Sequence, residues 1–502
     1  MESKRICDQV KDEEKNIKEP KMKISVKGIF MLAFKVLALV FAVVTGMFFC
    51  KINGLNMLPI GYLVVIAIAL LIFTVFIAFM LCKKKGIVSK VIFSILAIGI
   101  IVVYSYGINY LSETETFIEE MTTEIVETED YYVITLKDSE YGTLEKLNDI
   151  NVHTFMSGED FTDVKSDVLS KTLVYFKDDE SLSELSTNLL NKKIYAILVS
   201  SSQYEMLKDE TPEFAAKTKI INTSTHTIKR VEEVEEEKDE KYTIKSGSFN
   251  VYISGIDTSG RISNVSRSDA NIIATVNLNT RTILLTSIPR DYYVTLHSKK
   301  KKDKLTHSGI YGIKETYKTV EDLLDININY YVRVNFTTME KIVNALGGIT
   351  VKSDYTFTTE TGFSFVKGEN YLNGAEALAF SRERKSFASG DRQRGLNQQA
   401  VIKGIIDKAM SPAIIKKYTK ILKAVSGSFQ TNITNDEISS IVKGQLNDLA
   451  GWTIQSNTLD GKGSYGNTYS GGSTQLYVMI PNETSVVNGM KKINKVLEAR
   501  VD

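Results

Sequence analysis

Three apolar runs near the start of the chain, residues 29–50, 57–82 and 87–106, constrain its fold more than anything else in the sequence. Each is about long enough to cross a bilayer, for which roughly 20 apolar residues suffice as a helix. In lipid every backbone N–H and C=O must be satisfied within its own segment, so the runs are expected as three transmembrane helices. The first contains Lys35, near enough to its start for the long side chain to snorkel to the headgroups. Orientation follows from the basic flanks. Lys21, Lys23 and Lys27 precede the first run and Lys83, Lys84, Lys85 and Lys90 surround the second connection, whereas the first connection has only Lys51. The tail, residues 1–28, and the second connection are therefore expected in the cytoplasm. With an odd number of spans in 29–109, everything from about residue 110 is expected outside the cell membrane. A charged tail before the first run and no small-residue cleavage pattern after it argue against a removed signal peptide.

The exported part has roughly 390 residues, enough chain for two cores. The cysteines are Cys7, Cys50 and Cys82, all in the tail or the spans. Disulfides, a zinc-thiolate site and a cysteine nucleophile are thus excluded from the exported part. The net charge of +1 gives no global case for nucleic acid. The cytoplasmic pieces are also too short for a helix-turn-helix unit, so a DNA-binding regulator is set aside.

Residues 110–245 read as a small α/β accessory domain followed by an acidic linker. Residues 112–130 are acidic and Thr-rich, a stalk or a short helix. Residues 131–136, 172–176 and 194–200 look like buried strands, separated by helical spacings such as Leu144, Leu147 and Ile150. His153 and His226 stand alone and read as ordinary surface or packing histidines. The run 232–241 is a solvated linker or an exposed helix.

The remainder, 246–502, is more informative. Phe249, Val251 and Ile253 alternate as in a strand that runs into Asp257. A short loop leads to Asp269 and a second strand, 271–277, which turns into a third, 282–288, ending at Pro289-Arg290-Asp291. Short connections of this kind bring the end of the first strand, the start of the second and the end of the third to one edge of a sheet, so Asp257, Arg267, Asp269 and Arg290 should converge. Carboxylates among arginines can be structural ion pairs, a divalent-metal site facing a phosphate, or an acid/base pair.

Downstream, Ile310, Ile313, Tyr317, Val320 and Leu324 make one helical apolar stripe, with His307 just before it. A capping box at Thr337 to Glu340 opens a second helix, with Met339, Ile342, Val343 and Leu346 inward and Gly347 as its stop. Such stripes normally mean core. The stretch SRERKSFASGDRQRGLNQQ then gathers Arg382, Arg384, Arg392, Arg394, Asp391 and Gln398. Gly390-Asp391 suits an N-cap, and Val401, Ile402, Ile405 and Ile406 continue as an apolar face that projects back through Gln398 and Arg394. An inward guanidinium needs an anion, either a protein carboxylate or a bound phosphate, and four arginines around one turn favour the latter. Residues 462–473 read as a Gly/Ser-rich loop, 475–480 as a strand, the end as a polar helix, and Trp452 as a core or pocket-wall residue.

The successive segments SGIDTSG, SRSDANIIATVN, SIPRD, KLTHSGIYG, VNFTTMEKIVNALGGITV and the arginine stretch resemble the motifs of the LytR-CpsA-Psr family over residues 249–410. The three spans and the intervening domain resemble its streptococcal capsule branch. The resemblance implies an α/β domain with a central mixed sheet flanked by helices. It further implies an extracytoplasmic phosphotransferase moving capsular polysaccharide or a related anionic glycopolymer from an undecaprenyl-pyrophosphate carrier to peptidoglycan. By similarity Asp257 and Asp269 hold Mg2+, while Arg267, Arg290, Arg382, Arg384, Arg394 and Gln398 clamp the pyrophosphate. Asp257, Asp269 and Asp391 are the candidate bases. Ile313, Tyr317, Val320, Leu324, Ile342, Val343 and Leu346 would wall a tunnel for the polyprenyl tail. The alternative is a non-catalytic polyprenyl-phosphate-binding subunit regulating capsule-assembly proteins.

Overall fold

The computed structural model describes residues 26–83, 86–122, 127–155, 161–228, 240–256, 262–388, 390–409, 411, 429–448 and 450–500. They form two compact units, one up to Glu113 and one from Thr114 onward. The first holds α1 (Val26–Gly54), α2 (Ile60–Cys82) and most of α3 (Ile87–Thr122), each helix containing a stretch long and apolar enough to cross a membrane. They pack around Phe41, Ile77, Leu81 and Ala97. Most other large apolar side chains of this unit face outward, the arrangement a bundle immersed in lipid tolerates and one in water does not. The third helix runs well past Tyr106 into the acidic stretch, so part of the expected stalk is a continuation of the span.

Among the described residues the second unit holds two larger sheets, of five and six strands, and four two-stranded ones. The first contains β1 (Thr128–Leu136), β2 (Ile150–Thr154), β3 (Val174–Asp178), β4 (Ala196–Ser200) and β5 (Thr218–Thr227), in the order β3-β2-β4-β1-β5. Helices α4 (Thr162–Lys171), α5 (Leu182–Leu190) and α6 (Ser201–Glu210) cover it. The last is opened by a capping box between Ser200 and Gln203. Ile150, expected to extend a helical spacing, instead begins β2, because the turn through Leu144 and Leu147 stops at Leu147.

The second sheet is mixed. β6 (Ser248–Ile256), β7 (Ser268–Asn277) and β8 (Thr282–Ile288) form an antiparallel meander. The small hairpin of β9 (Tyr293–Thr295) and β10 (Lys302–Lys304) follows, and β11 (Tyr330–Asn335) then lies parallel to β6. Helix α7 (Ile313–Leu324) precedes β11 and α8 (Phe336–Leu346) follows it. Next come β12 (Ile349–Ser353), β13 (Phe357–Thr358), β14 (Ser364–Phe365), β15 (Gly368–Leu372), α9 (Gly374–Arg382) and α10 (Asp391–Ala409). β16 (Phe429–Thr431), α11 (Asn435–Asp448), β17 (Thr453–Thr458), the hairpin β18 (Gly461–Thr468) and β19 (Gly472–Pro481), and α12 (Glu483–Glu498) complete the chain. The sheet order is β16-β11-β6-β7-β8-β17.

Period-two alternation buries both faces of this sheet. Tyr252, Ile273, Leu284 and Ile288 face one layer, with Val320 and Leu324 of α7 and Ile493 and Val496 of α12. Val251, Ile272, Ala274, Ile283 and Leu285 face the other, against Ile402 and Ile406 of α10. Trp452 packs in that second layer, with the Arg281 guanidinium 5.2 Å from its ring.

Three local expectations are corrected. Ile310 is not part of α7: Gly312, at φ 106°, separates the helix from a 3-10 turn over Leu305–Tyr311, and Ile310 packs in the accessory core. Helix α8 is capped by Asn335, whose side chain accepts from the Thr338 N–H, earlier than the Thr337 to Glu340 box. The Gly/Ser-rich segment 462–473 is largely strand β18, paired along β19.

Candidate functional site: an arginine-lined cleft at the sheet edge

In the β7/β8 ladder Asn271 pairs with Ile288, so Asp269 and Arg290, each two residues further on, are carried to the same end of the sheet. The Arg290 guanidinium donates to Asp269 Oδ1 at 2.9 Å, and the Thr306 hydroxyl donates to the same oxygen at 2.9 Å. Arg267 Nη2 lies 4.0 Å from the other oxygen, Oδ2. Arg267 Nη1 donates at 2.7 Å to Asp209 Oδ2, at the end of α6 beside the five-stranded sheet. Asp269 is buried, and its Oδ2 accepts no hydrogen bond among the described residues. Burial opposes ionisation of this carboxyl, yet the guanidinium charges of Arg267, Arg290 and Arg394 and the Thr306 hydroxyl outweigh it and hold the pKa well below the usual carboxylate range. Arg267 is the mirror case: burial works against its charge, and Asp269 and Asp209 more than offset that.

Beside this carboxylate is a small cleft, lined among others by Asp269, Arg290, Arg392, Arg394, Gln398 and Asp460. Arg394 and Gln398 reach it from one face of α10, four residues apart. The helix comes so near because residue 395 is glycine: a Cβ there would stand 2.8 Å from Ser287 Oγ. Gln399 pins the same helix, donating to the backbone carbonyls of Leu285 and Asn457.

The structure thus brings Arg267, Asp269, Arg290, Arg394 and Gln398 together. Arg382 and Arg384 are exposed at and just after the end of α9 and are not among the residues lining this cleft. Asp257 lies outside the described residues. Asp391 begins α10, and its side chain is outside those described. Ile313, Tyr317, Val320 and Leu324 belong to the layer under α12. Ile342, Val343 and Leu346 belong to a separate cluster with β12, β15 and α9. The two stripes are therefore not brought together. His307 has a structural role, its Nδ1 lying 2.7 Å from Asp303 Oδ1 while Asp303 Oδ2 accepts from the Ser470 N–H and hydroxyl. Sequence reasoning misses Thr306 and Asp209. Thr306 sits inside the KLTHSGIYG segment, next to a histidine that is far more conspicuous. Nothing local marks Asp209.

Asp269 Oδ2, which accepts no hydrogen bond among the described residues, suits a divalent cation. Mg2+ commonly takes one or two carboxylates and completes its shell with water and phosphate oxygens, and the neighbouring guanidiniums would repel it unless a phosphate came too. Among the described residues no group of three or more His, Cys, Asp or Glu is placed so that it could hold a metal ion.

The family model of LytR_cpsA_psr matches residues 215–487, more than half of the chain. The chain belongs to the LytR-CpsA-Psr family. This LytR-CpsA-Psr chain is 40% identical over 197 residues to the polyisoprenyl-teichoic acid–peptidoglycan teichoic acid transferase TagU of Bacillus licheniformis, covering 39% of this chain and 63% of that protein. To its namesake in Bacillus subtilis strain 168 it is 41% identical over 198 residues, covering 39% and 64%. The Enterococcus faecalis protein of that name matches at 37% over 217 residues, covering 42% and 71%. The chain spans less than two thirds of the length of the two Bacillus relatives. The crystal structure of B. subtilis TagU is 34% identical, covering 51% of this chain and 99% of that one with a TM-score of 0.40.

Proposed function

We propose that this chain is a membrane-anchored phosphotransferase that moves a glycopolymer from a polyprenyl-pyrophosphate carrier to peptidoglycan outside the cell membrane. The observation that carries the reading is the buried Asp269 carboxylate among Arg267, Arg290 and Arg394 at the wall of a cleft. The names of the relatives, transferases of polyisoprenyl-linked teichoic acid to peptidoglycan, support it. The donor is read as capsular polysaccharide or a related anionic polymer on undecaprenyl pyrophosphate, with capsule-assembly proteins as further partners.

In this reading an acceptor hydroxyl attacks the polymer-bound phosphorus, the P–O bond to the lipid phosphate breaks, and the hydroxyl proton leaves to a base. Arg290, Arg394 and Gln398 bind the two phosphates, and their planar donors follow the charge that moves onto the lipid phosphate. Asp269 aligns Arg290 through its hydrogen bond. With its pKa held so low it is a poor proton acceptor, which leaves Asp257 or Asp391 as the base. Mg2+, held by Asp269 Oδ2 and Asp257, would neutralise charge on the pyrophosphate.

The test is a reconstituted transfer: the full-length chain in nanodiscs, an undecaprenyl-pyrophosphate-linked polymer, and a soluble peptidoglycan fragment, with and without Mg2+. The expected result is undecaprenyl phosphate released in step with a polymer–glycan phosphodiester, abolished by Arg290→Ala. Lipid binding with no turnover would overturn the reading and leave a polyprenyl-phosphate-binding regulatory subunit.

A further inference from the structure

The acidic pair Asp209-Glu210 closes α6. Carboxylates at a helix C-terminus face the negative end of the helix dipole, so nothing local favours them there. What compensates is cationic and distant in sequence: Asp209 accepts from Arg267 at 2.7 Å, and Glu210 feels Lys304 and Arg267. The helix end is held firmly. Met206 and Leu207 are buried in one core cluster with Val265 and Ile310, which sit two residues before Arg267 and four after Thr306. The backbone at Gly309 presses on the Arg267 strand so closely that a Cβ would stand 2.6 Å from Ser266 O and Ser268 N. Asp209, Arg267 and Thr306 are therefore fixed to one another through packing.

The guanidinium of Arg267 lies between two carboxylates. One amino group is bound by Asp209, and the other stops 4.0 Å from Asp269 Oδ2 without bonding it. We propose that Asp209, contributed by the accessory domain, is a positioning residue of the site: it holds Arg267 by one amino group and so keeps the guanidinium off the unbonded Oδ2 of Asp269. Without Asp209 the guanidinium closes that gap, pairs with Asp269 in the two-pronged geometry arginine prefers, and takes the Oδ2 that accepts no hydrogen bond among the described residues. The accessory domain is then part of the site's construction. This inference rests on the transferase reading above.

The experiment uses the full-length chain in nanodiscs and two measurements, affinity for undecaprenyl pyrophosphate and turnover of the lipid-linked polymer. Asp209→Ala is expected to weaken affinity about tenfold and to lower turnover by about 10- to 100-fold, the scale of losing an outer-shell orienting group. Asp209→Glu restores both. Thr474→Val, which cuts a hydroxyl contact between the same two parts of the chain, with Ser181 at 2.6 Å, leaves both unchanged. Asp209→Ala within twofold of wild type in both measurements overturns the proposal. So does tighter lipid binding, which would make Asp209 a competitor for the phosphate, or an equal loss in Thr474→Val, which would make domain docking the cause. A wild type that binds the lipid without turnover sinks the transferase reading alone, and affinity then decides the role of Asp209.

Discussion

Glu210 makes stability depend on pH in an unusual direction, and Glu210→Gln should remove that dependence. Burial is the dominant influence on this carboxyl and pushes its pKa from 4.5 to about 7, although Lys304 and Arg267 pull it down. In the unfolded chain the proton leaves near pH 4.5, whereas the folded chain keeps it to about pH 7. Between those values the folded state binds more protons, so stability is greatest at the acidic end and falls as pH rises. The gap, at about 1.4 kcal/mol per pH unit, amounts to about 3 kcal/mol lost by pH 8. Glutamine cannot ionise. Relative to wild type the variant should be of similar stability at pH 4.5 and about 3 kcal/mol more stable at pH 8. Asp269 acts in the opposite sense: its folded pKa is depressed, so its contribution is present above about pH 4 and lost below. Both proteins carry it, and it cancels. Urea unfolding of the full-length chain in detergent at pH 4.5, 6, 7 and 8 reads the difference directly. A wild-type-to-variant difference that stays constant over that range refutes the assignment.

Other consequences are as open to measurement. Arg394→Lys keeps the charge and loses the planar fork, and transfer should fall by about 100-fold with the melting temperature nearly unchanged; a variant within threefold of wild type would remove Arg394 from the phosphate clamp. Glu127→Ala deprives Arg333, 2% exposed, of the carboxylate 3.1 Å away, leaving it the carbonyls of Ile262 and Asn264. The expected cost is about 3 kcal/mol by chemical denaturation, and a loss below about 1 kcal/mol would contradict the burial argument. Protease added to intact protoplasts should remove everything after about residue 110, and full protection would reverse the assigned orientation.

The legible parts of this sequence are those in which structure is decided by near neighbours. The apolar runs mark the spans, alternation marks β6 to β8, and the short connections between those strands suffice to place Arg267, Asp269 and Arg290 together. The helical repeat through Val401 and Ile405 correctly aims Arg394 and Gln398 inward. The arginine stretch is harder, because it is two elements: α9 ends at Arg382 and α10 begins at Asp391, and the turn between them leaves Arg382 and Arg384 outward. The stripes on α7 and α8 look alike as sequence. They enter different clusters, α7 under α12 and α8 against β12, β15 and α9, with the sheet strand β11 between them in the chain, a tertiary fact that periodicity does not encode. β5 gives no strand signal because an edge strand of Thr, Asn and Ser shows no apolar alternation. Asp209 meets Arg267 across 58 residues, a separation at which no local signal survives.

The matched family segment begins at residue 215, yet Glu127 and Asp209, which lie before it, neutralise Arg333 and Arg267 within it. The segment before the match is therefore not a cassette that evolution or an engineer can exchange freely. A relative without it must find other anions for those two arginines or change them, and a chimera grafted at the start of the match would inherit the cations without their partners. Glu127 with Arg333, and Asp209 with Arg267, should on that account be gained and lost as pairs along lineages, each carboxylate travelling with that segment and each arginine's surroundings recording whether the segment was ever there.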